Sequence, residues 1–251
     1  MRPKMVFAAL ALSFAALPAL AQQQSSPFTD GERAALHAEI RAYLLENPEI
    51  LLEAMQELEK RQQAATAAND AERIAANAPA IFEDGYSYVA GNPQGSLTIV
   101  EFMDYQCSFC RRAYPEVGEL LDADGDIRLI VKEMPILGPG SELAARAALA
   151  TLIAEGPERY ATLHDRLMRL KAEITDERLD ALLTELGLDP AAIRAGMYAP
   201  EVDRRLAETR ALAETLGISG TPTFVFSDRM LRGYLPLEAM RGLVSEVRAD
   251  G

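Results

Sequence analysis

The chain has 251 residues, of which 49% are hydrophobic and 25% charged, and its formal net charge is −13. This length is enough for one large domain with an appendage. Because the acidic balance is not interrupted by any cluster of Lys and Arg, binding to a phosphate backbone is disfavoured, and nucleic acid is excluded as the main partner.

The N-terminal residues 1–21 have the pattern of a secretory signal peptide. Arg2 and Lys4 precede the apolar run MVFAALALSFAAL, and Pro18 leads into Ala-Leu-Ala, a small-x-small cleavage signal. A retained N-terminal anchor is the alternative, although the run is short for a membrane span and no Lys or Arg follows it directly. The absence of a lipobox cysteine near the cleavage point predicts export to the bacterial periplasm, an oxidising compartment.

Two amphipathic helices are predicted within residues 22–63. Thr29 or Asp30 can cap the first helix, and Asn47-Pro48-Glu49 opens the second. Apolar residues recur near the helical period at Leu36, Ile40, Tyr43, Leu44, Ile50, Leu51, Leu52, Met55 and Leu58. Two such helices cannot bury their own apolar faces, so they pack either on the main domain or on copies of themselves. The second alternative makes residues 22–63 an oligomerisation segment, which we favour.

Residues 64–80 are predicted to be a linker. The stretch RQQAATAANDAERIAANAPA, residues 61–80, is rich in Ala and polar groups and has almost no large apolar side chains. It is compatible with a helix or a flexible segment that has little to pack against.

The main domain is predicted over residues 81–251. The stretches YSYVAG, LTIVEFM and DIRLIVKEM read as strands, as do TPTFVFSD and MLRGYL near the end of the chain. Ala- and Leu-rich helices fill about 141–216, and a closing helix follows the last strand. This order predicts an α/β sheet with a helical insertion.

The only two cysteines, Cys107 and Cys110, form a CxxC motif directly after the predicted strand LTIVEFM. A structural disulfide is disfavoured because so short a loop constrains the unfolded chain little. A zinc site within the chain is disfavoured because the only histidines, His37 and His164, lie far away in helical segments.

Reversible redox chemistry fits the motif better. A helix that begins at Cys107 places this thiol at the helix N-terminus, where free backbone N–H groups favour the thiolate. Cys107 is therefore expected to be the exposed nucleophile, and Cys110 the more buried resolving thiol.

The chain resembles the DsbA family of periplasmic thiol–disulfide oxidoreductases, which have a thioredoxin fold. The resemblance covers roughly residues 86–249 and is carried by EFMDYQCSFC, GTPTFVF and MPILGPGS. The segment YLLENPEILLEAM is similar to the helical stalk of the Com1-like and ScsC-like branch of this family. In members of that branch such a stalk builds an oligomer, in some cases a trimer.

The resemblance assigns roles to individual residues. Cys107 matches the nucleophile and Cys110 the resolving cysteine. Thr221-Pro222 matches the cis-proline loop that presents backbone groups to an extended substrate. Glu101 matches an acidic residue below the active site. The strand pattern by itself leaves two alternatives for Glu101, an exposed edge position or a buried position in which its raised pKa lets it relay a proton from Cys110.

The dipeptide between the cysteines departs from the strong oxidases of the family, which carry a proline and a histidine there. Ser108 and Phe109 supply no imidazolium to stabilise the Cys107 thiolate, so a less oxidising couple is expected. Phe109 is expected either to contact unfolded substrates or to pack over the helix start.

The family resemblance implies a periplasmic thiol–disulfide oxidoreductase that acts on secreted proteins and needs no cofactor beyond the redox-active disulfide Cys107–Cys110. We expect an oligomeric isomerase or reductase that is kept reduced by a DsbD-like or ScsB-like membrane reductase. A DsbA-like oxidase served by a DsbB-like membrane oxidase is the alternative. Unfolded or misfolded periplasmic proteins are the expected substrates.

Copper handling is an alternative of a different class. Two thiolates at CxxC spacing suit Cu(I), so Cys107 and Cys110 are possible ligands. Three later methionines, Met197, Met230 and Met240, are scattered and are interpreted as core residues rather than ligands.

Overall fold

The computed structural model describes residues 28–250, so the predicted signal peptide at residues 1–21 lies outside the described part of the chain. The chain divides into two compact units between Glu59 and Lys60. Among residues 28–250, no helix combines the length and the apolar character that crossing a membrane requires.

The first unit contains α1 (Asp30–Glu46) and the beginning of α2 (Glu49–Ala76). Thr29 caps α1 through a capping box: its hydroxyl accepts from the Glu32 amide, and its own amide donates to the Glu32 carboxylate over 2.8 Å. No residue of α1 is buried. The large apolar side chains that remain exposed here are Phe28, Leu36, Ile40, Tyr43, Leu45, Leu51, Leu52, Met55 and Leu58.

The second unit is built on one five-stranded sheet with the strand order β1-β3-β2-β4-β5. The strands are β1 (Tyr88–Gly91), β2 (Leu97–Met103), β3 (Ile127–Glu133), β4 (Thr223–Val225) and β5 (Met230–Arg232). The central pair β2 and β3 is parallel, and the other three pairs are antiparallel. The strands therefore lie where the sequence predicts them.

Helices surround this sheet. They are α3 (Ala78–Phe82), α4 (Ser108–Asp124), α5 (Pro139–Glu155), α6 (Pro157–Arg169), α7 (Asp176–Glu185), α8 (Pro190–Met197), α9 (Pro200–Leu216) and α10 (Leu237–Asp250). The block from α5 to α9 separates β3 from β4 and is the predicted helical insertion. The predicted fold class, an α/β sheet with a helical insertion, is confirmed.

The side chains of β2 alternate between the two faces of the sheet, and a separate hydrophobic core lies on each face. Ile99 and Met103 belong to the larger core, which also contains both cysteines. Val100 and Phe102 belong to the smaller core on the opposite face. Glu101 lies between Ile99 and Met103 in this alternation, so it shares the face of the cysteines.

The expectation that residues 64–80 have little to pack against is wrong. Helix α2 continues to Ala76, and Ile74 is only 1% exposed within the smaller core. Asp70 is also buried and accepts two hydrogen bonds from the Arg232 guanidinium, of 2.6 and 2.8 Å. Two side chains thus anchor a segment whose average composition is that of a linker.

We expect Ile74→Ala to lower the free energy of unfolding by about 2–4 kcal/mol, because it leaves a cavity in the smaller core. Urea denaturation measures this change. The neighbouring exposed position provides a control, since Glu72→Ala should change stability by less than about 0.5 kcal/mol. Equal effects of the two substitutions would show that this turn of α2 does not contribute to the core.

Candidate active site

Cys107 occupies the N-cap of α4, immediately after the loop that follows β2. Its extended backbone, with φ −72° and ψ 118°, lets the helix begin at Ser108. The amide N–H groups of Phe109 and Cys110, which have no partner within the helix, stabilise a negative charge on the Cys107 sulfur. A thiolate at this place is stabilised by these donors and by the positive end of the helix dipole.

The pKa of Cys107 is lowered to about 5. The largest cause is a hydrogen bond from the Cys110 thiol, followed by the Thr221 side chain and the amide groups of Cys110 and Phe109. Partial burial opposes this stabilisation without cancelling it. Cys107 is therefore the thiol of the pair that is ionised at neutral pH.

Cys107 is less accessible than the sequence predicts. The residue is only 6% exposed, so the expectation of an exposed nucleophile is wrong. The loop before β4 covers it, and in the thiol form its S–H donates to the Thr221 carbonyl over 3.1 Å. Phe109, in contrast, is 55% exposed beside the covered sulfur. Of the two alternatives for Phe109, the structure has the one that leaves its ring free for contact.

Cys110 is fully buried one helical turn further on. Its pKa is raised far above the ordinary value, first because burial penalises the thiolate, then because it donates to Cys107 and lies near Glu101. A backbone hydrogen bond from Asp104 opposes the rise. Both cysteines are free thiols in this structure. The pair therefore combines one ionised and one protonated sulfur.

Thr221 and Pro222 face the dithiol, and the peptide bond between them is cis, as predicted. The Thr221 hydroxyl is buried and has no hydrogen-bond partner while Cys107 is a thiol. It is available to donate to the sulfur once Cys107 ionises, which is how this side chain lowers the pKa of Cys107.

Glu101 is buried, with 4% of its surface exposed, and its Oε1 atom has no hydrogen-bond partner. Burial raises its pKa to about 8, and the negative charge of Cys107 contributes to the rise. Of the two sequence-based alternatives for Glu101, the structure has the buried one. The side chain also lines a cavity of about 640 Å³, together with Tyr114, Val117 and His164.

A family model described as a DSBA-like thioredoxin domain matches residues 98–245, which is more than half of the chain. The chain belongs to this family. Its members are thiol–disulfide oxidoreductases with a thioredoxin-like fold, and the CxxC geometry of this chain fits that chemistry. A second model, the N-terminal domain of the copper resistance protein ScsC, matches residues 32–65.

Solved structures of this family resemble the chain over most of their length. A thioredoxin-like oxidoreductase from Silicibacter pomeroyi is 40% identical with a TM-score of 0.64, and the match covers 68% of this chain and 97% of that protein. ScsC from Proteus mirabilis is 26% identical with a TM-score of 0.66, and the match covers 90% of this chain and 99% of ScsC. The second match is long enough to include the N-terminal helices.

Some curated relatives are much longer proteins. The Na⁺/H⁺ antiporter NhaA 1 of Salinispora arenicola is 30% identical over 164 residues, a match that covers 64% of this chain and 25% of the antiporter. This chain thus spans about a quarter of the length of such relatives, and the matched part alone is shared.

Two buried acidic residues of this DSBA-like site are absent from the sequence predictions. One is the buried Asp104, which lies between β2 and the cysteines. The other is the buried carboxylate of Glu133, which accepts hydrogen bonds from Tyr105 (2.8 Å) and Tyr160 (2.6 Å). The parallel register pairs Glu133 with Met103, so the alternation along β3 would have placed it on the face of Glu101.

Possible metal ligands are sparse around the dithiol. Within residues 28–250, no group of three or more His, Cys, Asp or Glu side chains is placed to hold a metal ion. Met197 and Met240 are buried in the larger core, which agrees with their interpretation as core residues. Binding of Cu(I) by Cys107 and Cys110 stays a prediction.

The alkylation rate of reduced Cys107 should rise with pH through a midpoint near 5, where its pKa lies. In Cys110→Ala the midpoint should move to higher pH, because the largest stabilising hydrogen bond is lost. Iodoacetamide labelling followed by mass spectrometry measures both profiles. Cys107→Ser serves as the control, in which buried Cys110 should stay unlabelled. A midpoint unchanged by Cys110→Ala would contradict this electrostatic account.

Glu101 should make stability depend on pH in a defined direction. Its folded-state pKa of about 8 lies above the ordinary 4.5, so wild-type stability is lost as pH rises from about 4.5 to about 8. Glu101→Gln cannot ionise, and its stability relative to wild type should grow by about 4–5 kcal/mol across this window and then stay constant. Urea titrations of the reduced proteins at several pH values measure the difference.

The exposed Glu246 offers the matched control for this series. Glu246→Gln should show a stability difference from wild type that does not change across the same window. A Glu101→Gln difference that is equally flat would mean that Glu101 is ionised in the folded protein at pH 5.

Proposed function

We propose that this chain is a periplasmic thiol–disulfide oxidoreductase that acts as an oligomeric disulfide isomerase or reductase. The observation that carries the proposal is the combination of an activated dithiol with an uncovered apolar surface on the N-terminal helices. Residues 32–65, which match the ScsC N-terminal domain, include most of these exposed side chains.

The reaction begins with the Cys107 thiolate. It attacks one sulfur of a substrate disulfide, forms a mixed disulfide, and releases the other substrate sulfur as a thiolate that takes up a proton. In isomerisation a different thiol of the substrate then attacks the mixed disulfide and regenerates the Cys107 thiolate. No net oxidation or reduction takes place in this cycle.

In reduction, Cys110 resolves the mixed disulfide. Its sulfur bonds to the Cys107 sulfur, the bond to the substrate breaks, and the substrate leaves with two reduced thiols. Cys110 must lose a proton in this step. Formation of the mixed disulfide removes the Cys107 charge, one of the causes that raise the pKa of Glu101. The ionised Glu101 then accepts the proton of Cys110.

A reductase of this kind needs an external source of electrons. A DsbD-like or ScsB-like membrane reductase would reduce the Cys107–Cys110 disulfide through its own thiols, and no cofactor beyond this disulfide would be required. Unfolded or misfolded periplasmic proteins would bind as extended segments against Thr221 and Pro222, with apolar side chains on the exposed ring of Phe109.

The N-terminal helices support the oligomeric part of the proposal. Leu52, Met55 and Leu58 are 63%, 67% and 56% exposed along α2. Apolar side chains at this helical spacing contribute about 25 cal/mol per Å² when they are buried against a copy of the same surface. An oligomer such as a trimer would then hold several dithiols around one misfolded substrate.

A disulfide oxidase is the second candidate, and one observation favours it. The lowered pKa of Cys107 stabilises the reduced protein relative to its disulfide, which makes the couple more oxidising. Ser108 and Phe109 add no cation to this effect. In the oxidase cycle the reaction runs in reverse, and a DsbB-like membrane oxidase restores the disulfide.

Two measurements test the proposed function. The first is the redox potential of the Cys107/Cys110 pair, determined by equilibration with glutathione. The second is the mass by light scattering of the mature protein with and without residues 22–63. A low potential and a mass that depends on these residues are expected for an isomerase or reductase, whereas a high potential with a monomer would identify an oxidase.

A point variant makes the link between assembly and activity sharper. Leu52→Glu should dissociate the oligomer and lower the reactivation of a scrambled disulfide protein at least about tenfold, because avidity for one substrate is lost. Its reaction with oxidised glutathione should be unchanged. Gln56→Glu adds the same charge at an exposed polar position of α2 and is expected to stay oligomeric. A monomeric Leu52→Glu that isomerises as well as wild type would refute the role of the oligomer.

A further inference from the structure

Asp104 has an unusual set of partners for a residue between a strand and the active-site helix. Its side chain is buried, and its carboxylate accepts four hydrogen bonds. Oδ1 accepts from the Gln106 amide and the Ser141 hydroxyl, each at 2.7 Å. Oδ2 accepts from the amides of Ile136 and Leu137, at 2.8 and 3.1 Å.

The backbone of Asp104 contacts both cysteines. Its carbonyl accepts a hydrogen bond from the Cys107 amide over 3.1 Å. Its own amide N–H is the group that stabilises negative charge on the Cys110 sulfur. The main chain of Asp104 therefore contacts the two cysteines, while its side chain binds the loop after β3. This loop lies 32 and 33 residues further along the chain.

The loop that contains Asp104 and the loop after β3 are in close contact. A Cβ atom added at Gly140 would overlap the side-chain amide of Gln106 and lie 3.0 Å from the Ile174 carbonyl oxygen, so a larger residue there would displace the Gln106 side chain. Gly138 has φ +104°, a left-handed conformation that favours glycine. The part of the loop after β3 that lies between Asp104 and these two glycines contains Ile136 and Leu137, which are 40% and 52% exposed.

We infer that Asp104 is a positioning residue for the dithiol. Its carboxylate binds the loop after β3, and this fixes the loop between β2 and α4, which orients the amide donors of α4 toward Cys107. A carboxylate suits this position since both of its oxygens accept, and four donors converge on it. An asparagine would keep one acceptor oxygen, and its NH₂ group would face two N–H or O–H donors and leave them without an acceptor. This inference deepens the proposed thiol–disulfide exchange and rests on it.

The test is Asp104→Asn, read out through Cys107. If Asp104 positions the loop, the amide donors of Phe109 and Cys110 lose their alignment and the pKa of Cys107 should rise. The equilibrium with glutathione should then shift about three- to tenfold toward the protein disulfide, because the thiolate is less stabilised. If Asp104 acted only through its charge, its neutralisation would shift both quantities the opposite way. Ultraviolet titration of the thiolate and the glutathione equilibrium measure them.

Asp84 provides a matched control. Its carboxylate also accepts four hydrogen bonds, from the amides of Tyr86 and Ser87, the Ser87 hydroxyl and the Lys132 ammonium group. Lys132 pairs with Phe102 in the sheet register, so this cluster lies on the face away from the cysteines. Asp84→Asn should lower stability and leave the Cys107 titration unchanged.

Ser141→Ala keeps the test valid if Asp104→Asn does not fold. It removes one of the four donors and should shift the Cys107 titration in the same direction by a smaller amount. Where both variants fold, their effects should not add, because they disturb one network. An unchanged Cys107 pKa in Asp104→Asn and Ser141→Ala would restrict Asp104 to fold stability, and a lowered pKa in Asp104→Asn would leave only the effect of its charge; either result overturns the inference. The proposed function fails separately, if the wild-type protein itself neither isomerises nor reduces disulfides.

Discussion

The active site depends on a negative charge that is stable on the Cys107 sulfur in a place that is largely closed to water. Only 6% of this residue is exposed, yet its pKa is lowered to about 5. The Cys110 thiol, the Thr221 side chain and the first amides of α4 stabilise the thiolate in place of water. Because these donors are fixed by the fold, the thiolate is stabilised without reorganisation of solvent.

The ionisation of Glu101, the second acidic group of the site, depends on the charge of Cys107 because both groups lie in low-dielectric surroundings. Glu101 lies below the cysteines on the same face of β2, where burial and the Cys107 charge both disfavour its ionisation. Two negative charges are therefore disfavoured together, and a change of charge on the sulfur shifts the proton affinity of the carboxyl. In this account, the proton that Cys110 must lose is accepted after the thiolate has been consumed in a mixed disulfide.

Local sequence pattern was sufficient for the strands and the helix start at Cys107, but it left Glu101 open between an exposed and a buried position. The alternation along β2 and β3 places both Glu101 and Glu133 on the face of the cysteines. Contacts between distant segments were not accessible in the same way. Cys107 is covered by Thr221, which is 114 residues away, and Asp104 binds donors more than 30 residues away. The average composition of residues 64–80 is polar, so it does not reveal that two side chains, Asp70 and Ile74, anchor this segment.

The protonation of Glu101 in two states of the same protein tests the central claim most directly. The infrared carbonyl band of its protonated carboxyl, assigned by its loss in Glu101→Gln, can be followed against pH in the reduced protein and in the Cys107–Cys110 disulfide. The account predicts a midpoint near 8 in the reduced protein and a lower one in the disulfide, where the sulfur carries no charge. The same midpoint in both states would contradict it.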